Sequence, residues 1–136
     1  MRVMAVDYGD ARTGVAVSDP TGFLAGETAV IASYRAEAVA EEIARLCARY
    51  GVERIAVGRP LNMNGTAGER AEKAEAFAAR LRGATGLPVE LWDERLTSVD
   101  ANRILSDAGK KRGKQRARVD AVAASLILEG YLGYLK

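Results

Sequence analysis

Three short apolar blocks open the chain, and a helical rhythm then takes over. Residues 2 to 7 read as a buried strand, Gly9-Asp10-Ala11-Arg12 as a turn, and Thr13 to Ser18 as a second strand of small residues. So short a connection predicts a hairpin. Asp19-Pro20-Thr21-Gly22 is another turn signal, and Glu27 to Ala32 supplies a third strand that completes an antiparallel meander. Beyond it, Val39, Ile43, Leu46, Cys47 and Tyr50 fall at helical spacing until Gly51 stops the helix, and Arg54 to Val57 forms a short buried strand. A second helix is predicted from about Ala67 to Arg82, with Ala67, Ala71, Ala74, Phe77, Ala78 and Leu81 on one face. Val89 to Trp92 is a fifth strand. Ser98 to Ala108 follows as a helix opened by the capping-box pattern Thr97-Ser98-Val99-Asp100, and Val119 to Leu135 as the last helix.

A meander followed by strand-helix units predicts a five-stranded mixed α/β sheet with helices on its faces, because each later strand must return in parallel through a crossover. Ligands of such sheets sit outside the carboxyl ends of the parallel strands. Carboxylates stand at those ends. Asp7 closes the first strand, Asp93 and Glu94 close the fifth, and Asp120 is expected in the first turn of the last helix, on the border of an inward face made by Val119, Val122, Ala123 and Leu126.

Composition narrows the chemistry. The 136 residues contain no histidine, which removes Ser-His-Asp and Cys-His catalysis and His-ligated zinc, and leaves carboxylates, lysines and oxygen-binding metals. The single cysteine, Cys47, excludes an internal disulfide and belongs to a helical apolar pattern, so a core role is expected of it. The length predicts one domain over 1–136. No apolar run approaches about 18 residues and nothing at the N-terminus resembles a signal peptide, so a soluble cytoplasmic protein without membrane partners is expected.

Taken singly, each acid has an ordinary reading. Asp7-Tyr8-Gly9 is common turn chemistry, Glu94 can pair with Arg95, and Asp120 suits a helix N-terminus. Together, three acids at one rim repel each other, and a divalent cation relieves that repulsion. Magnesium or manganese, hard cations that take carboxylate, water and phosphate oxygens, are the natural occupants, and they suit in-line displacement at phosphorus.

Four segments, Asp7-Tyr8-Gly9-Asp10-Ala11-Arg12-Thr13-Gly14-Val15-Ala16-Val17-Ser18-Asp19, Gly58-Arg59-Pro60 through Gly65, Asp93-Glu94-Arg95-Leu96-Thr97-Ser98 and Asp120-Ala121-Val122-Ala123-Ala124, make the chain resemble the YqgF/RuvX family in order and over its whole length. The resemblance implies a ribonuclease H-like nuclease domain. It also implies a hydrolase that matures the 5' end of pre-16S ribosomal RNA in ribosome biogenesis or, as the alternative, resolves Holliday junctions in DNA repair. By this resemblance Asp7, Glu94 and Asp120 are the catalytic, metal-holding acids. Asp93 is the ambiguous neighbour. Strand alternation puts Asp93 and Glu94 on opposite sides, and the longer Glu94 is the better reach across the rim.

The segment Gly58 to Gly65 follows a parallel strand and opens a helix, where backbone N–H groups favour a phosphate, although no Gly-Lys-Ser or Gly-Lys-Thr is present to suggest a nucleoside triphosphate. Arg12, Arg59, Asn62 and Arg95 are candidate contacts to a nucleic-acid backbone, or local partners of neighbouring acids. The run of Lys110, Lys111, Arg112, Lys114, Arg116 and Arg118 contains no acid and leads directly into Asp120, which predicts a polyanion clamp on a basic loop. Scarce aromatic residues point to recognition by backbone and shape. Structured RNA, including pre-rRNA, or branched DNA is the expected partner; homodimerisation and ribosome-associated proteins stay open. Two further readings remain: an ATPase module, since Asp-x-Gly after a first strand also resembles the actin and sugar-kinase superfamily, and a non-catalytic RNA-binding ribosome-assembly factor.

Overall fold

The structure, a computed structural model, describes residues 1–22, 25–62, 64–96 and 115–135; for residues 25, 96 and 115–120 it describes the backbone alone. Five strands, β1 (Arg2–Asp7), β2 (Arg12–Ser18), β3 (Ala25–Ala32), β4 (Val52–Arg59) and β5 (Val89–Asp93), form one sheet in the order β3-β2-β1-β4-β5. β1 pairs antiparallel with β2, and β2 with β3; β1 and β4, and β4 and β5, are parallel. The expected meander followed by parallel strands is therefore the observed topology.

Strand alternation divides the core between two faces. Met4, Val6, Val15, Val17, Ile55 and Val57 point to one face, where helices α1 (Ala36–Tyr50) and α2 (Glu69–Thr85) cover them with Val39, Ile43, Phe77, Ala78 and Leu81. Val3, Ala5, Ala16, Ala56 and Trp92 point to the other, under helix α3 (Gln115–Leu135) and its Ala124, Ile127, Leu128, Tyr131 and Leu132. Cys47 is buried in the first cluster, and burial pushes its thiol up to about 11, as suits a core residue. Among the described residues no helix is long and apolar enough to cross a membrane.

Several boundaries differ from expectation. β4 runs to Arg59, so Gly58 and Arg59 belong to the strand rather than to the loop after it, held there by their pairing with Trp92 and Asp93 of β5. α2 starts at Glu69, because Asn62 N–H donates to the Thr66 carbonyl and Gly65 N–H to that of Asn62, which closes a turn as far as Thr66, and Gly68 before the helix is extended. α3 starts at Gln115. Its Gln-Arg-Ala-Arg opening is made of good helix formers, so Arg116 and Arg118 lie on helix, not loop, and Asp120 falls in the second turn. The inward face of α3 is also not the expected one: Ala124, Ile127, Leu128, Tyr131 and Leu132 are buried, whereas Val122, Ala123 and Leu126 are only partly covered. Asp120 stands one turn before Ala124, in the row of the helix that meets the sheet. The predicted helix 98–108 with its capping box from Thr97, and Lys110, Lys111, Arg112 and Lys114, lie outside the described residues.

The turn after β1 fixes the position of Asp7. A Cβ on Gly9 would collide with the Arg12 carbonyl oxygen, a backbone atom that cannot yield locally. The fully buried Thr13 hydroxyl accepts from Gly9 N–H and donates to its carbonyl at 3.4 and 3.5 Å. Gly9→Ala is therefore expected to destabilise the fold by about 1–3 kcal/mol, read as a lower urea midpoint at unchanged slope.

Candidate active site

Three strand ends meet at the carboxyl rim of the parallel half of the sheet. Asp7 is the last residue of β1, Gly58 the penultimate residue of β4, and Asp93 the last of β5. Val6 is opposite Val57 and Gly58 opposite Trp92 in the register, so the three ends lie side by side. After Asp93 the chain leaves the strand for a 3-10 turn, Glu94–Leu96. That turn separates the two neighbouring acids.

Asp93 faces Arg95. The Arg95 guanidinium donates from Nε at 3.1 and 3.0 Å and from Nη2 at 2.7 Å, and Arg95 N–H donates to Oδ1 at 2.9 Å. This pairing holds the Asp93 carboxyl below its ordinary value. The same guanidinium lies against Gly65, whose φ of 86° turns the loop before α2, so Arg95 serves Asp93 and the loop together.

Glu94 takes the other direction. Its Oε1 lies over Gly58, 3.1 Å from where a Cβ would stand, on the face covered by α3. Asp7 belongs to the same face by strand alternation, since Val3 and Ala5 pack there, while Tyr8 stacks on Phe77 on the opposite face with ring centroids 4.1 Å apart. Burial first, and then the Asp7 charge, push the Glu94 carboxyl up from an ordinary 4.5 to about 7; the Arg70 guanidinium pulls the other way and Asp93 adds a weaker upward push. Glu94 and Asp7 are thus electrostatically coupled. Arg70, the second residue of α2, is the nearby cation that sequence reading passed over, because at helical periodicity it belongs to the solvated side.

Other candidates are engaged in structure. Arg59 forms an ion pair with Glu75 of α2. The Asn62 amide donates to the Thr66 hydroxyl at 3.0 Å, shaping the loop. Arg12 opens β2 and is half-buried beside the turn. Among the described residues no group of three acids is close enough to hold a metal. The side chains of Asp120, Arg116 and Arg118 lie outside the described residues, so the described part of the site is a two-carboxylate pair. That pair fits a divalent cation chemically, since both donors are hard oxygens and each raises the energy of the other's charged form.

The family model described as "RuvX: Holliday junction resolvase" matches residues 1–134. The chain belongs to the RuvX family. Among curated relatives it is 50% identical over 133 residues to the "Putative pre-16S rRNA nuclease" of Pelotomaculum thermopropionicum, covering 97% of this chain and 86% of that one. It is 47% identical over 134 residues to the protein of the same name from Halothermothrix orenii, covering 98% and 96%. Among solved structures, T. thermophilus RuvC in complex with a Holliday junction substrate superposes with a TM-score of 0.61 at 14% identity, covering 98% of this chain and 96% of that one. Fowlpox virus resolvase with substrate Holliday junction DNA gives 0.52 at 11% identity, covering 99% and 95%. At these identities the likeness is one of fold, and the fold of this RuvX-family chain is ribonuclease H-like.

The strained acid leaves a signature in stability. Folded RuvX-family protein of this sequence holds the Glu94 proton more tightly than the unfolded chain does. The group's contribution is therefore neutral below about pH 4.5, becomes unfavourable as pH rises toward 7, and levels off above. Glu94→Gln removes it. In metal-free buffer the variant is expected to be about 1–2 kcal/mol more stable than the parent at about pH 8, after discounting for partial exposure, and no more stable at about pH 4. Urea unfolding at the two pH values checks it.

Proposed function

We propose that this chain is a divalent-metal-dependent nuclease that hydrolyses phosphodiester bonds of structured RNA, with the 5' end of pre-16S ribosomal RNA as substrate and the cytoplasm as its place of work. The observation that carries the reading is the Glu94 carboxylate, held over Gly58 next to Asp7 despite burial and like charge. A site that keeps two mutually repelling acids at the rim of a ribonuclease H-like sheet is suited to a cation and a phosphate. Asp7 and Glu94 would hold magnesium or manganese, and Asp120, in the row of α3 that meets the sheet, would complete the set. Bound there, the ion would supply an activated water and offset charge on the departing oxygen.

The protein's own groups bind and orient. Lys110, Lys111, Arg112, Lys114, Arg116 and Arg118 hold backbone phosphates without reading bases, so affinity is expected to fall steeply with salt. Arg70, beside the acid pair, meets the phosphate nearest the reacting bond. Asp93, Arg59 and Asn62 hold the frame through Arg95, Glu75 and Thr66. The pre-16S substrate is supported by the names of the curated relatives. Branched DNA is the second reading, favoured by the family description, and it would call for a homodimer to place paired cuts. On the RNA reading, ribosome-associated proteins are the natural partners.

Cleavage of end-labelled structured RNA and of a four-way DNA junction, with magnesium or manganese, tests the proposal. RNA cutting that falls about 100-fold or more in Asp7→Asn, with RNA binding retained, is the expected result. Paired symmetric cuts in the junction alone would replace it with the resolvase reading. Binding without cutting of either substrate would leave an assembly factor.

A further inference from the structure

We propose that Gly58 is the positioning residue of this site: its missing side chain is the space in which the Glu94 carboxylate lies beside Asp7. The inference rests on the acid-pair reading above and names the residue that makes the pair possible. Gly58 sits on the central strand of the parallel half, between the Asp7 end of β1 and the Glu94 turn after β5. A Cβ placed there would stand 2.6 Å from Ile127 Cδ1, 3.1 Å from Glu94 Oε1 and 3.2 Å from Glu94 Cδ.

Backbone conformation does not call for glycine at this position. Among the described residues the positive-φ glycines are Gly22, Gly51, Gly65 and Gly86, and Gly58 is ordinary strand. Space is the requirement. One wall of the slot is Ile127, which is 2% exposed and packed in the α3 core. The other is the end of a flexible acid. A methyl group entering the slot collides first with Ile127 Cδ1 and then crowds the Glu94 carboxylate, so even after Ile127 yields the carboxylate must shift by a few tenths of an ångström. That shift changes the place of the carboxylate over Gly58, and with it the spacing to Asp7 on which a shared ion would depend. A strand residue with a side chain would give the same sheet and the same helix packing once α3 adjusted, but an acid pair with another spacing.

The experiment separates this role from mere packing. Ile127→Val deletes the Cδ1 atom that the new Cβ meets first, so Gly58→Ala/Ile127→Val relieves the core collision and leaves the one with Glu94. The double variant is expected to unfold at the Tm of the Ile127→Val control. Its Mn2+ affinity, measured by electron paramagnetic resonance, is expected to be about 10- to 100-fold weaker than that of the control. Its crystal structure is expected to have the Glu94 carboxylate displaced from its place over Gly58. Parent-like Mn2+ affinity with Glu94 unmoved would overturn the proposal. Should the parent itself bind no Mn2+, the metal reading fails and the crystal structure decides alone: a displaced Glu94 supports the positioning role, and an unmoved one overturns it.

Discussion

Two carboxylates that would separate in water are held together at the rim of this sheet, and the rest of the molecule can be understood as what holds them. Asp7 is fixed by the end of β1 and by a turn in which Gly9 and Thr13 leave no slack. Glu94 is fixed by a 3-10 turn that begins where β5 stops, and by the latch of Asp93 on Arg95 behind it. Burial of the Glu94 carboxyl first, and the Asp7 charge second, make it a cost to folding, of the order of 1–2 kcal/mol at about pH 8, which the two closed core faces offset.

Topology brings the two acids to one rim from distant parts of the chain. β1 and β5 are separated by more than half the sequence, yet both flank β4 in parallel, so their carboxyl ends open on the same rim. Only a small central residue lets a side chain from β5's exit cross toward β1, and β4 supplies Gly58 there. On the other face, Tyr8 packs on Phe77 and turns the strand end into a rigid corner. On the proposed reading rigidity matters, because a metal site tolerates errors of only about half an ångström.

Much of this was legible in the residues, for physical reasons that differ from element to element. The meander and the parallel strands follow from short apolar blocks and turn chemistry, and Gly51 and Gly86 end their helices in the left-handed conformation that glycine favours. Alternation and reach distinguish Glu94 from Asp93 in the sequence; in the structure the two acids point apart because a 3-10 turn begins at Glu94, which strand periodicity does not foresee. The inward face of α3 was not legible. Ala121 to Leu128 is apolar almost all round, so no period singles out a face, and the contacts with Ala5, Ala16 and Trp92 decide it. The start of α3 was missed because a run of like charge reads as loop even when its residues are good helix formers. The nearness of Arg70 to Glu94, and the space that Gly58 leaves for the Glu94 carboxylate, are not legible in the sequence because both depend on neighbours distant along the chain.

The account turns on Asp7 and Glu94 acting as one electrostatic unit, and the most direct measurement is the carboxyl 13C titration of Glu94 by NMR, without and with Mg2+, in the parent and in Asp7→Asn. The account predicts a midpoint near 7 in the metal-free parent, a lower one when Asp7 is neutralised, and a collapse toward the ordinary carboxylate range when Mg2+ is added. A midpoint near 4.5 that neither Asp7→Asn nor Mg2+ moves would contradict it.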